Sequence, residues 1–310
     1  MIEKGKRMAL WSASGLIGAL VLYNTGTSSA AHWADRHELR DPETGILVGA
    51  EPRNLGPEDS PFALLFIHGF VGAGNNFNTL PDQAAEAGWH VRVMRLPGHG
   101  TRASDLKSVE AADLRKAVEQ EVLDLQSKHA CVVLAGHSMG GALAVLTASG
   151  IPVDGLLLGA PYFGITHKWY YGLKPETWVR ISSPCIRWVY KGKLFLQVND
   201  KSAKDKIVSY RWIPSKASVT LNEIGGMVNE PEVLKKITCP VILFHATGDI
   251  AASYDAARHA FDSMPAKDKT FVDLPRSNHH VFWDFDKDVV ARDSIGFLDR
   301  IRKTKETGKP

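Results

Sequence analysis

The chain has 310 residues, 44% hydrophobic and 23% charged, with 27 Gly and 16 Pro. That length suits one large domain or two small ones, and that balance excludes a disordered, collagen-like or coiled-coil chain. A formal charge of +3 excludes a nucleic-acid binder that works through overall charge. Cys131, Cys185 and Cys239 are too few and too scattered for a disulfide framework or a four-ligand zinc site. Two of them lie beside apolar runs and read as buried thiols.

At the amino terminus, Lys4, Lys6 and Arg7 precede an uncharged stretch from Met8 to Tyr23, and Asn24 to Ala31 is small and polar. This is the layout of a targeting segment over residues 1–31. Ser28 and Ala30 stand at −3 and −1 of a cut after Ala30, as a signal peptide requires. The 16-residue apolar run is longer than a usual signal core and shorter than the roughly 20 residues that span a bilayer. A cleaved signal and a retained anchor both fit it. Either puts residues 32–310 on the extracytoplasmic side, because the basic flank stays in the cytoplasm. The odd number of cysteines argues mildly the other way.

Next come apolar runs at 62–68, 91–96, 130–135, 155–158, 241–245 and 270–274, most bounded by Gly or Pro. They predict buried strands. Helices are expected between and after them at 109–128, 139–149, 253–264 and 286–303, which makes the fold class α/β with a mainly parallel sheet flanked by helices. The rhythm lapses from about 161 to 228. That stretch is expected to be a cap inserted between two strands of the sheet.

Gly136-His137-Ser138-Met139-Gly140 spells GxSxG between a predicted strand and a predicted helix. A serine on so sharp a turn needs small neighbours, and the turn lifts its hydroxyl above the sheet with the Met139 N–H facing the same space. A serine nucleophile needs a base, and the base needs a carboxylate. Asp249 follows the strand 241–245 through Ala246-Thr247-Gly248, and His279 follows the strand 270–274, both at the carboxyl end of the sheet. His280 competes with His279 for the base. The N–H groups of Phe70 and Met139 are the candidate oxyanion donors, whereas the side chains of His68 and His99 read as loop braces.

HGF at 68–70, PGHG at 97–100, GHSMGG at 136–141, Asp249 and SNHHVFWD at 277–284 together resemble the serine carboxylesterase and monoacylglycerol lipase branch of the α/β-hydrolase superfamily, over roughly residues 60–303. The resemblance implies an α/β-hydrolase fold with a small cap, a Ser138, Asp249 and His279 triad, an acyl-enzyme intermediate, and no metal or organic cofactor. Matching the family's SxHxxxxD pattern onto Ser277 to Asp284 selects His279 over His280. Residues Ile250 to Ser253 depart from the apolar, proline-containing pattern that often follows the family's acid.

Residues 162–212 hold eleven of the 27 aromatic residues and ten Lys and Arg against Glu176, Asp200 and Asp205. Such a face suits an anionic membrane surface; the alternative is an aromatic cap core with solvated lysines. Both expect a hydrophobic acyl ester. The function expected is serine hydrolysis of carboxylic esters, medium-chain esters or monoacylglycerols, with a thioesterase or acyltransferase as the alternative and a non-catalytic binding protein as the remote one.

Overall fold

The computed structural model describes residues 2–192 and 196–308, with side chains from Ser14 onward. The chain opens on helix α1 (Ile2–Arg36) and forms an edge strand β1 (Arg53–Leu55), then β2 (Phe62–Ile67), α2 (Leu80–Glu86), β3 (His90–Val93), α3 (Ala111–Gln126), β4 (Cys131–His137), α4 (Met139–Ala148) and β5 (Gly155–Gly159). The insertion follows, with α5 (Pro175–Ser182), β6 (Trp188–Tyr190), β7 (Trp212–Pro214) and α6 (Ser215–Val228). A short α7 (Pro231–Leu234), β8 (Val241–Ala246), α8 (Tyr254–Ser263), β9 (Lys269–Leu274) and α9 (Lys287–Thr307) complete the chain.

The expected α/β-hydrolase sheet is present, in the order β1-β3-β2-β4-β5-β8-β9. Every pair is parallel except β1 with β3. Apolar residues on both faces make β2 and β4 buried along their whole length. The two-residue period of a strand splits them between two cores. Leu65 and Ile67 face a core shared with α3 and α4, while Leu64 and Phe66 face one shared with α2 and α9. In the centre of the sheet Ile67 pairs with Gly136, Gly136 with Leu158, and Leu158 with Leu243. This register brings the carboxyl ends of these strands to one edge, where the loops of the site begin.

The insertion contains a two-stranded antiparallel ribbon, Trp188 to Tyr190 against Tyr190's partner strand Trp212 to Pro214, which three-residue strands hide from any period-2 reading. Its last helix, α6, adds Ile224 and Val228 to the core of α3 and α4. Of the cap aromatics, Tyr162, Phe163, Trp188 and Tyr210 are buried, whereas Trp169, Tyr170, Tyr171, Trp178 and Tyr190 are exposed. The cap aromatics therefore divide between a buried set and an exposed set.

Helix α1 continues through the expected cut at Ala30 and touches the cap. The Asn24 amide donates to the Cys185 carbonyl (2.8 Å) and accepts from the Arg187 N–H (2.9 Å). Ala31 is buried, and the His32 ring meets Trp188 edge-on. Among the described residues no helix is long and apolar enough to cross a membrane, and the side chains of Met8 to Ala13 in the expected apolar run lie outside those described. Of the thiols, Cys131 is buried, Cys239 half-buried and Cys185 exposed.

Candidate active site

Ser138 joins β4 to α4 with φ 53° and ψ −119°, a left-handed backbone that costs a non-glycine residue on the order of 1–3 kcal/mol. The surroundings hold it there. Its N–H donates to the Gly159 carbonyl (3.0 Å), and its own carbonyl accepts from the N–H groups of Gly141 and Tyr162 (both 2.9 Å). A Cβ on Gly140 would overlap the Ile67 carbonyl, and one on Gly136 would overlap the first turn of α4. Only glycine permits that approach.

The side chain of Ser138 reaches His279, with Oγ 2.9 Å from Nε2. On the other side of the ring, Nδ1 lies 2.8 Å from Asp249 Oδ2. With the Nδ1–H donated to the carboxylate, Nε2 is left to accept the serine proton. The second carboxylate oxygen of Asp249 accepts from the N–H groups of Ala251 (2.7 Å) and Ala252 (3.0 Å). This is the work of the Ile250 to Ser253 segment that departs from the family pattern. Burial pushes the Asp249 carboxyl up, but the adjacent His279 and the Ala251 N–H outweigh it and hold it below the ordinary carboxylate value.

The structure thus brings Ser138, Asp249 and His279 together and leaves His280 out. The His280 ring lines the cavity above Ser138, and the His280 backbone N–H donates to the Gln197 backbone carbonyl (3.1 Å). Burial, with help from His137, holds it well below the ordinary histidine value. Phe70 lines the same cavity, and Met139 stands at the first position of α4, where an N–H has no intrahelical acceptor. The loop after β2 is pressed on the nucleophile turn, since a Cβ on Gly69 would come 3.0 Å from Ser138 Cβ. His68 and His99 are braces: His68 Nε2 accepts the Leu96 N–H (3.1 Å), and His99 Nδ1 meets the Pro97 carbonyl (2.9 Å).

Three residues gain roles that the sequence reading did not give them. His137, beside the nucleophile, has Nε2 3.1 Å from the carbonyl of His279 and so steadies the loop that carries the base. Burial and the nearby His279 push its pKa down to about 3. Asp284 is fully buried, accepting from the N–H groups of Asn278 and Phe285 in the histidine loop and of Asn199 and Asp200 in the cap. It fastens the base's loop to the cap, and its place at the end of SxHxxxxD was the available signal. Lys191 is not the outward-facing lysine expected of a basic face: it lines the cavity with Ser138 and His279.

That cavity encloses about 270 Å³. Tyr162, Ile165, Leu221 and Ile250 supply its apolar lining, and Asn76, Lys191, Gln197 and Ser209 a polar one. Among the described residues no group of His, Cys, Asp and Glu is arranged to hold a metal ion.

Known proteins place this architecture. The chain is 25% identical over 259 residues to a thermostable monoacylglycerol lipase of Bacillus sp. (strain H-257), covering 82% of this chain and 96% of that one. It is 20% identical to a carboxylesterase of Bacillus subtilis (strain 168), over 77% and 93% of the two chains. Among solved structures, a chain from work on LipS and LipT, two metagenome-derived lipolytic enzymes, superposes with a TM-score of 0.73 at 23% identity, over 83% of this chain and 99% of that one. The monoacylglycerol lipase of Paleococcus ferrophilus superposes with a TM-score of 0.67 at 17% identity, over 81% and 98%. The family described as serine aminopeptidase, S33 (Hydrolase_4) matches residues 61–288, and the chain belongs to it, within the esterase and monoacylglycerol lipase branch of the α/β-hydrolases.

Proposed function

We propose that the protein is a serine hydrolase of carboxylic esters that works through an acyl-enzyme. Ser138 Oγ attacks the ester carbonyl as His279 Nε2 takes its proton, and Asp249 keeps the imidazole in the required tautomer and stabilises its charged form. The N–H groups of Phe70 and Met139 receive the oxyanion. The C–O bond to the alcohol then breaks as His279 returns the proton to the leaving oxygen. Water, deprotonated by His279, cleaves the acyl-serine and restores Ser138. The observation that carries this reading is the unbroken hydrogen-bonded chain from Ser138 Oγ through His279 to Asp249 at the floor of a half-apolar cavity.

Peptide release is the rival that the family's description raises. An aminopeptidase must hold the positively charged α-amino group of its substrate, whereas the one charged side chain among the described cavity residues is a lysine. Lys191 would repel that group. The small cavity favours short to medium acyl chains. Hydrolysis of acyl esters from two to sixteen carbons, with thioesters and aminoacyl amides beside them, tests the reading. Turnover of the esters, with Ser138 labelled by a fluorophosphonate, is the expected result. Preference for thioesters would make it a thioesterase, and cleavage of the amides alone would overturn it.

We further propose that the enzyme works at a lipid surface on the extracytoplasmic side with α1 retained as its anchor. Exposed Trp169, Tyr170, Tyr171 and Trp178 in the cap, and Leu16, Ile17, Val21 and Leu22 on α1, support the first part. The Asn24 contacts and buried Ala31 support the second. Flotation with anionic vesicles and the mass of the native amino terminus test the two parts. Lys204 and Lys206 are the cap lysines to reverse, because Lys191 faces the cavity and Lys193 lies outside the described residues.

A further inference from the structure

The cavity above Ser138 has two unlike walls, separable by their own hydrogen bonds. One is built from Tyr162, Ile165 and Leu221 with the loop after Asp249, to which it is tied by an Ile165–Ala252 bridge and a Thr166 N–H to Ala251 carbonyl bond (3.0 Å). It is apolar. The other is built from Asn76, Lys191, Gln197, Ser209 and His280. Here the Asn76 side chain donates to the Val208 carbonyl (3.4 Å), Lys191 Nζ donates to Ser209 Oγ (3.4 Å), and the Gln197 backbone carbonyl accepts from the His280 backbone N–H (3.1 Å).

Lys191 is unlike any other residue of this lining. It is the single charged side chain among the described cavity residues, and its Nζ bonds Ser209 Oγ and no carboxylate among the described residues. Burial pulls its pKa down to about 8, which still leaves an ammonium at pH 7. The neighbouring His137 and His280 are held neutral, and His280 Nδ1 is buried with no hydrogen-bond partner among the described residues. A half-buried cation that faces a cavity without a counter-charge is costly, and a ligand anion placed beside it offsets that cost. The apolar wall meanwhile suits an acyl chain.

We propose that Lys191 is the anion-recognising residue of this cavity, and that the preferred substrate is an acyl ester whose alcohol arm carries an anionic group, a carboxylate or a phosphate, against the polar wall. The proposal rests on the ester-hydrolase reading and names the substrate class of the same site. Three hexanoate esters of similar size test it, with glycerol, with glycerol phosphate and with 3-hydroxypropanoate as the alcohol. The expected kcat/KM for the anionic esters is at least tenfold that for the glycerol ester. The ratio falls to near one in Lys191→Met and is largely kept in Lys191→Arg. Which anionic ester leads tells phosphate from carboxylate.

Equal turnover of the three esters by the wild-type enzyme overturns the proposal, whatever happens to the variants. Labelling of Ser138 by a fluorophosphonate shows whether Lys191→Met is folded. Calorimetric binding of the same esters to Ser138→Ala gives a second readout, expected to favour the anionic esters tenfold and to lose that preference in Ser138→Ala/Lys191→Met. Selective binding without turnover of any ester by the wild type would sink the hydrolase reading and leave Lys191 standing. Turnover of all three with no selectivity in binding would do the reverse.

Discussion

The floor of the site and its cap are built on different principles. The floor is held by the sheet: Ser138 sits in a strained turn clamped by backbone bonds to Gly159, Gly141 and Tyr162, and its flanking glycines have no room for a side chain. The cap adds to the sheet a separate ribbon of two three-residue strands and the helices α5 and α6. A few backbone bonds reach it, such as Tyr210 N–H to the Val71 carbonyl, but much of its hold comes from side chains reaching to backbone, through Asn75 to Lys206, Asp284 to Asn199 and Asp200, and Tyr210 to Gly98 and Thr101. Close backbone packing fixes atoms to fractions of an ångström, as bond-making requires. Tethering by side chains leaves a surface that tolerates change, which suits substrate selection. Damage to the floor should therefore remove the reaction, and damage to the cap should shift its selectivity and stability.

The largest effect belongs to the floor. Ser138→Ala and His279→Ala should each lower kcat/KM by about 10⁴ or more, and the double variant should be little worse, because triad members act as a unit. His280→Ala should lose far less, since His280 makes no bond to Ser138. Ester hydrolysis by the four proteins measures this. An inactive His280→Ala beside an active His279→Ala would mean that the base has been misassigned.

Asp284 is where floor and cap meet, and there the loss should be smaller but double. Asp284→Ala leaves the N–H groups of Asn278, Phe285, Asn199 and Asp200 without their acceptor. Bonds to a charged acceptor contribute about 1.5–3 kcal/mol each, and with water entering the space left by the carboxylate to take up part of the freed N–H groups a destabilisation of about 3 kcal/mol is expected. Chemical denaturation reads that loss. As a positioning residue for His279 it should also lower kcat more than it raises KM, whereas a cap-only role would move KM alone.

Much of the floor was readable because each of its parts is local. Ser138 announces itself by glycines on both sides between a strand and a helix, and Asp249 trails the buried β8 by a few residues; His279 likewise trails β9, although that strand lies at the sheet edge and is buried only at Leu274 rather than throughout as expected. The cap was readable only as composition. Whether Trp169 is exposed and Trp188 buried depends on what α1 and the body bring against them, which no window of sequence contains. Lys191 is the clearest case: charge counting put it on the surface, and the fold turns it inward beside Ser209, 18 residues away. His137 acts across 142 residues, beyond any local pattern, and although SxHxxxxD marks Asp284, its bond to the cap spans 85 residues that no motif contains.

Histidines buried in the floor should also make it acid-labile. His68 and His137 are pushed down to about 3 and His99 to about 4, chiefly by burial, so all three are neutral in the folded protein. Unfolded, each takes up a proton near pH 6.5, so the unfolded chain binds more protons below that pH. The stability they contribute is complete above about pH 6.5 and is lost as pH falls toward 4, by up to about 1.4 kcal/mol per pH unit for each. Urea midpoints between pH 7.5 and 5 should fall with that slope, and His99→Gln should make it shallower. A flat profile would mean that these rings are already charged in the fold.

The smallest effect tests the tether itself. Tyr210, in the loop leading to β7, accepts the Thr101 N–H (2.9 Å) and donates to the Gly98 carbonyl (3.2 Å), joining the cap to the PGHG turn of the body. Tyr210→Phe removes both bonds without opening a cavity, because the ring is retained. Thr101 is partly exposed, so water can replace one partner and the cost should stay near 1 kcal/mol. For a domain of this size that is a fall of about 2 °C in the melting temperature. If the tether sets where the cap stands over Ser138, KM for a bulky acyl ester should change while kcat for a short one is retained. A loss of kcat for both would mean that the cap helps to hold the triad in place, and that the division between floor and cap is less clean than their construction suggests.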